Sequence, residues 1–134
     1  MPNKMRLTTE ILDDLSAQAR ASARLRMNLN LHNSTSDSVQ RLLNAMEPGT
    51  VVPVHRHLDA SETIILLRGE LRVSFYDDKK NEIESFLLGV NTDSLGVHIP
   101  KGVWHDVNVL EAGTVIFEVK EGPYHPLCAS DILQ

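Results

Sequence analysis

From residue 63 to residue 120, short apolar runs alternate with clusters of turn-forming residues, and this spacing limits the folds that the chain can adopt. Gly, Pro, Asn and Asp gather between the runs. Short strands at intervals of about 8–12 residues, separated by turn signals, are typical of a β-sandwich or a β-barrel. The sequence therefore predicts an all-β fold, with strands at 63–67, 71–76, 83–88, 97–99, 104–110 and 114–120.

A short helix is predicted before these strands, at 9–22. Thr8 is a suitable N-cap, and acidic residues occupy the first turns. The apolar side chains recur at helical spacing and form one stripe, made of Ile11, Leu12, Leu15 and Ala19. One stripe covers only one side of a helix, so we expect it to pack at the periphery.

Residues 24–32 alternate strictly between apolar and polar side chains, which predicts a strand with one polar face. The polar face consists of Arg24, Arg26, Asn28, Asn30 and His32. It could be a solvent-exposed face at a sheet edge. Arg and Asn also make directional hydrogen bonds to oxygen-rich ligands, which favours a binding role. The next segment, 39–46, has helical spacing but runs directly into a Pro-Gly turn, so we predict a strand there.

Composition indicates one domain with a sizeable core, because 134 residues carry 42% hydrophobic side chains. We divide it into a helical extension (1–23), a β-barrel (24–120) and a Gly- and Pro-rich tail (121–134). The net charge of −5 argues against nucleic-acid binding. Cys128 is a single cysteine, and no stretch resembles a signal peptide or a membrane span. A soluble, cytoplasmic protein is expected.

The segment 49–69 contains two histidines and a glutamate whose spacing suggests a metal site. His55 and His57 are two residues apart, so on a strand their rings point to the same side. Glu62 begins the next apolar run and can return to the same point from a neighbouring strand. His105 is a fourth candidate, because Val107 and Val109 continue its face of the strand towards the interior. Imidazole and carboxylate groups together suit a divalent transition metal.

These residues resemble the cupin superfamily. Its first motif is matched at every defined position, by Gly49, His55, His57, Glu62 and Gly69, and the centre of its second motif by Pro100, Gly102 and His105. The ends of the second motif differ, since Ser94 and Val109 stand where the family has glycine and asparagine. The resemblance implies a small antiparallel jelly-roll barrel, with His55, His57, Glu62 and His105 as metal ligands.

A closer resemblance extends over nearly the whole chain. The segments RLRMNLNLH, VQRLLNA and FEVKEGPY, together with both motifs, are similar to the WbuC-type cupin-fold metalloproteins. That group is associated with bacterial O-antigen and polysaccharide gene clusters. The resemblance implies a role in polysaccharide metabolism without specifying a reaction. Because cupin barrels commonly pair through edge strands, it also implies a homodimer.

We expect substrate contacts from the polar face of the N-terminal strand, at Arg26, Asn28, Asn30 and His32. Gln40 and Arg41 are further candidates, and Tyr124 and His125 lie where they could cap the barrel mouth or simply form a Pro-bounded loop. His98 is predicted to be structural or exposed, and Trp104 to serve packing.

Three functions are compatible with this pattern. The first is a metal-dependent enzyme, such as an isomerase or oxygenase, that uses one Fe, Mn, Ni or Zn ion on a small oxygen-rich substrate, a sugar or sugar derivative. The second is a metal-independent sugar isomerase or epimerase in which histidines shuttle protons. The third is a metal-dependent binding module without catalysis.

Overall fold

The computed structural model describes residues 3–134; the first two residues of the predicted N-terminal extension lie outside this range. One helix, α1 (Thr9–Ala21), precedes eight strands. The strands are β1 (Arg26–Asn30), β2 (Val39–Met46), β3 (Glu62–Arg68), β4 (Glu70–Tyr76), β5 (Glu82–Gly89), β6 (Gly96–Ile99), β7 (Trp104–Val109) and β8 (Thr114–Glu121). Within the described residues, no helix is long and apolar enough to span a membrane.

The strands form two antiparallel sheets. One has five strands in the order β1-β2-β8-β3-β6, and the other has three in the order β5-β4-β7. This confirms the predicted all-β jelly-roll class with a short N-terminal helix, although the two sheets do not join into one closed, hydrogen-bonded barrel. The strand prediction for 39–46 is also confirmed, since β2 pairs with β8 over the whole range and with β1 over 42–46.

Two apolar clusters hold these layers together. The larger lies between the sheets, where Leu71, Val73 and Leu88 are fully buried. The smaller lies on the outer face of the five-stranded sheet, where α1 buries Leu12, Leu15 and Ala19 against residues of β2 and β8. Helix α1 begins as predicted, since the Thr8 hydroxyl accepts a hydrogen bond from the backbone N–H of Ile11.

The glycine between β3 and β4 is required by its surroundings. Gly69 has a φ of +90°, which L side chains rarely adopt, and a Cβ at this position would overlap Thr114. The tight turn lets β3 pass directly from the five-stranded sheet to β4 in the other sheet.

The polar-faced strand is shorter than predicted. Leu25 has a φ of +56°, so regular strand geometry starts only at Arg26 and ends at Asn30. His32 lies beyond the strand, where its Nδ1 accepts a hydrogen bond from the Arg41 backbone N–H at 3.0 Å. The histidine segment also differs from the expected strand, because His55 makes only isolated bridges, to His105 and Ile132.

Candidate metal centre

Three histidine side chains meet at the open end between the two sheets. His55 and His57 come from the connection between β2 and β3, and His105 comes from β7. One ring nitrogen from each lies within 4.8 Å of the other two. The ring centroids of His55 and His105 are 4.3 Å apart, and those of His55 and His57 are 5.1 Å apart.

Backbone carbonyls orient two of these rings. Nδ1 of His55 lies 2.8 Å from the Pro53 carbonyl oxygen, and Nδ1 of His105 lies 2.9 Å from the Val103 carbonyl oxygen. Because a carbonyl oxygen only accepts, each Nδ1 carries the proton and donates it. Nε2 is therefore the nitrogen that each ring offers to the centre, the arrangement by which metal-binding histidines are usually fixed.

Glu62, at the start of β3, contacts two of the histidines without joining the mutual three-nitrogen group. Its Oε1 lies 3.0 Å from Nε2 of His105, and its Oε2 lies 3.8 Å from Nε2 of His57. The carboxylate is only 6% exposed. Burial opposes its ionisation, but the hydrogen bond and positive charge of His105 lower the pKa of Glu62 to about 2.

The histidines differ in their affinity for protons. Burial, reinforced by the charge of His105, lowers the pKa of His55 to about 4. Burial also lowers the pKa of His57. For His105, burial acts to lower the pKa, but the hydrogen bond to Glu62 and its negative charge raise it overall. At neutral pH, His55 and His57 are therefore neutral, as metal ligands must be.

The donor set fits a metal ion. Three imidazole nitrogens converge, two of them fixed by their backbone bonds, and a buried carboxylate lies next to them. His55, His57 and His105 could hold a divalent transition metal, for which neutral imidazole is a preferred ligand.

The histidine segment is held from both sides. His55 and His105 exchange two backbone hydrogen bonds of 2.9 Å. Arg56 points the other way and stacks on Trp104, with its guanidinium 4.2 Å from the ring centroid. Arg56 also donates its backbone N–H to Asp131 and lies 3.6 Å from the Asp131 carboxylate. Successive side chains of this segment therefore point to opposite sides: His55 and His57 point inwards, and Arg56 points outwards.

The histidines line a cavity of about 240 Å³, which we call the central cavity. Its wall includes the inner face of the five-stranded sheet, with Arg26, Asn44, Glu118 and Lys120, and the tail residues Tyr124 and His125. Arg26 donates a hydrogen bond of 2.8 Å to the Val51 carbonyl.

A second cavity, of about 260 Å³, adjoins the first; we call it the side cavity. The two share four lining residues, Asn44, Glu118, Lys120 and Tyr124. Five of the eight candidates for substrate contacts line the side cavity: Asn28, Asn30, His32, Gln40 and Tyr124. Arg26 and His125 line the central cavity.

Other predicted residues lie outside both cavities or already have partners. Arg41 is exposed and lines neither cavity. Gln40 is buried and donates its amide hydrogens to the carbonyls of Thr35 and Asp37. His98 is exposed and hydrogen-bonded to Thr63 at 2.9 Å, and Trp104 is buried and donates to Asp78.

Three residues that join the cavities, Asn44, Glu118 and Lys120, were not among the predicted site residues. Glu118 and Lys120 are two residues apart on β8 and therefore share its inner face. Burial, followed by the negative charge of Glu62, raises the pKa of Glu118 to about 7. The Asn44 amide donates a 3.1 Å hydrogen bond to Glu118. Polar residues at alternate positions on two neighbouring strands are the sequence signal of such a face, whether that face meets solvent or a cavity.

Comparison with known proteins identifies a family and a fold. A family model described as a domain of unknown function (DUF6016) matches residues 7–88. No curated protein matches the sequence at a significant level. Many solved structures resemble the fold.

Three of these structures illustrate the range of sequence identity and coverage. BH2720 from Bacillus halodurans is 17% identical, with a TM-score of 0.61 over 93% of this chain and 86% of its own. The capsular polysaccharide assembling protein CapF from Staphylococcus aureus is 21% identical, with a TM-score of 0.60 over 74% of this chain but only 27% of its own. The Schizosaccharomyces pombe Cnp3 cupin domain is 12% identical, with a TM-score of 0.56 over 72% of this chain and 64% of its own. These likenesses show a cupin-type fold.

Proposed function

The chain belongs to the DUF6016 family, and from its site we propose that it is a metal-binding cupin protein that binds or acts on a small, oxygen-rich ligand, a sugar or sugar derivative. The observation that carries this proposal is the convergence of His55, His57 and His105 on one wall of the central cavity. We assign Glu62 as the fourth ligand, because its carboxylate already contacts two of these histidines.

The metal would be one Fe, Mn, Ni or Zn ion, since all of these accept nitrogen and oxygen ligands. When bound, it would supply an electrophile that polarises a ligand oxygen. The protein's own contribution is to fix the donor atoms: carbonyls hold the His55 and His105 rings, and the fold keeps Glu62 buried beside them. These groups are held by the fold itself, so the site is organised in advance.

The chemistry of the cavity walls supports an oxygen-rich ligand. Amide, carboxyl and ammonium groups line the side cavity, which suits hydroxyl and carboxylate oxygens better than an apolar molecule. The central cavity adds the Arg26 guanidinium beside several apolar side chains. The cationic and amide side chains of the two cavities are Arg26, Asn28, Asn30, Gln40, Asn44 and Lys120.

Our proposal places the protein among the WbuC-type cupins, in bacterial polysaccharide or O-antigen metabolism. It rests on the sequence resemblance, and the name of CapF, a capsular polysaccharide assembling protein with the same fold, is consistent with it. We further propose a cytoplasmic homodimer without nucleic-acid partners, in keeping with the single cysteine and the net charge of −5.

One observation favours a second candidate, a metal-independent sugar isomerase or epimerase. The hydrogen bond between Glu62 and His105 is a carboxylate–imidazole pair, and such pairs transfer protons in many enzymes. Full turnover of a sugar substrate after exhaustive chelation would favour this candidate over the metal-dependent one.

The metal proposal can be tested by elemental analysis of protein purified without a histidine tag. We expect about one transition metal per chain in the wild type. His57→Ala and His105→Ala should reduce this content severalfold, because each removes one nitrogen ligand. His57 is the more informative position, since it is less buried than His105 and its loss disturbs packing less.

His98→Ala is the matched control, because His98 is an exposed histidine outside both cavities. It should retain the wild-type metal content. Wild-type protein that stays metal-free after incubation with each of the four ions would contradict the proposal. Equal losses in His57→Ala and His98→Ala, with circular dichroism unchanged, would contradict the ligand assignment.

A further inference from the structure

Two cations, Lys120 and Arg26, lie on the inner face of the five-stranded sheet. Lys120 lines both the central and the side cavity, and Arg26 lines the central one. Among residues 3–134, neither forms a salt bridge. Within the described part of the chain, the Arg26 side chain donates one hydrogen bond, to the Val51 carbonyl, which leaves most of its donors available.

The acids nearest to Lys120 are already engaged by other groups. Glu62 lies opposite Lys120 in the pairing of β3 with β8, but its two oxygens contact His105 and His57. Glu118, two residues from Lys120, accepts the amide hydrogen bond of Asn44. An ammonium group so placed, between two cavities and without an ion-pair partner, is available to an anion that enters from solvent.

The Asn44 amide oxygen calls for a hydrogen-bond donor, whereas Lys120 calls for an anion. Asn44 donates through Nδ2 to Glu118, whereas its Oδ1 is buried and has no hydrogen-bond partner among residues 3–134. A buried acceptor without a donor is destabilising, and an amide oxygen can be satisfied only by a group that donates, such as a hydroxyl. Asn44 lines both cavities, so a ligand seated there meets this oxygen and Lys120 together.

From this combination we propose that the ligand is a polyhydroxylated carboxylic acid, whose carboxylate binds Lys120 and whose hydroxyl groups donate to Oδ1 of Asn44 and accept from Arg26, which lies near Asn44 on the sheet. The inference rests on the proposed function and specifies the ligand class of that site. It makes Lys120, Arg26 and Asn44 the residues that select the ligand, separately from the groups that hold the metal.

A matched pair of probes tests the carboxylate. D-gluconate and D-glucitol have the same hydroxylated carbon chain and differ only at the terminal carboxylate. In isothermal titration calorimetry with wild-type protein, we expect gluconate to bind with a Kd about tenfold or more below that of glucitol. Hexanoate, an acid without hydroxyls, should bind more weakly than gluconate, because it leaves Asn44 without a donor.

Substitutions of Lys120 test whether this residue causes the preference for gluconate over glucitol. Lys120→Met keeps most of the length of the side chain and removes its charge. It should raise the Kd for gluconate by about tenfold or more while leaving the Kd for glucitol nearly unchanged. Lys120→Arg should restore part of the preference. Lys79→Met is the control, since Lys79 is exposed in the β4–β5 turn, away from both cavities.

Three results would overturn the ligand class: no saturable binding of gluconate, equal affinities for gluconate and glucitol, or tighter binding of D-glucitol 6-phosphate than of gluconate. Metal content, measured on the same samples, keeps the two proposals distinguishable. Protein that lacks metal but still prefers gluconate would contradict the metal proposal alone. Protein with its metal but no preference for the acid would contradict this inference alone.

Discussion

The raised pKa of one residue in the cavity wall, Glu118, makes the stability of the protein depend on pH. Burial and the charge of Glu62 raise its pKa from a usual value of 4.5 to about 7. The folded protein therefore keeps this proton up to a higher pH than the unfolded chain does. Its contribution to stability is fully present below about pH 4.5 and is lost as the pH rises through 7.

Glu118→Gln removes this titration while retaining an oxygen that can accept the Asn44 hydrogen bond. In metal-free protein at pH 8, we expect the variant to be more stable than the wild type by roughly 2–3 kcal/mol, because the wild type must bury an ionised carboxylate. At pH 4 the two should be nearly equal, since Glu118 is then protonated in both states. Urea denaturation at the two pH values measures the difference, and an identical difference at both would contradict the raised pKa.

Among the secondary-structure elements, α1 determines which face of the five-stranded sheet forms the cavities. It covers the outer face, where Met27 and Leu29 of β1 and Phe117 of β8 pack against it. The polar residues that alternate with these side chains are thereby directed to the inner face. The helix at the periphery therefore leaves Asn28, Asn30, Glu118 and Lys120 to line the side cavity.

Leu15→Ala tests the packing of α1. Leu15 is only 4% exposed, so truncation leaves a cavity, and we expect a loss of about 2–4 kcal/mol in the free energy of unfolding. Gln18→Ala, on the exposed side of the same helix, should change it by less than about 0.5 kcal/mol. Equal effects in urea denaturation would indicate that the helix does not contribute to the core.

The elements also show where sequence-based prediction succeeded and where it stopped. Local patterns predicted the helix and the hairpins, because apolar periodicity and turn residues act over short distances. The strand β2 was predicted from its position before the Pro-Gly turn, against its helical spacing. Glu118 and Lys120 were missed since a polar face on a strand has the same pattern whether it meets solvent or a cavity. The position of α1 distinguishes a cavity wall from a solvent-exposed face, because α1 packs against Phe117 on the other side of β8. The later start of β1 was also missed, because the alternation of apolar and polar residues does not reveal the left-handed conformation of Leu25.

For the whole molecule, the two open sheets leave four edge strands, β1, β6, β5 and β7. Unpaired edges can extend a sheet by pairing with a second copy. We expect light scattering after gel filtration to give a mass of about 30 kDa, twice the 15.0 kDa of one chain. A constant mass of 15.0 kDa at all concentrations would contradict the dimer.

The contact between Glu62 and His105 has a consequence beyond ligand binding. Glu62 belongs to the five-stranded sheet and His105 to the three-stranded one, and the two sheets have no strand in common. Their 3.0 Å hydrogen bond therefore fastens the layers together at the open end. Local opening there must break this bond, so we expect amide hydrogen exchange in β3 and β7 to be coupled. A metal or ligand that occupies the site should then restrain the native-state fluctuations of both layers.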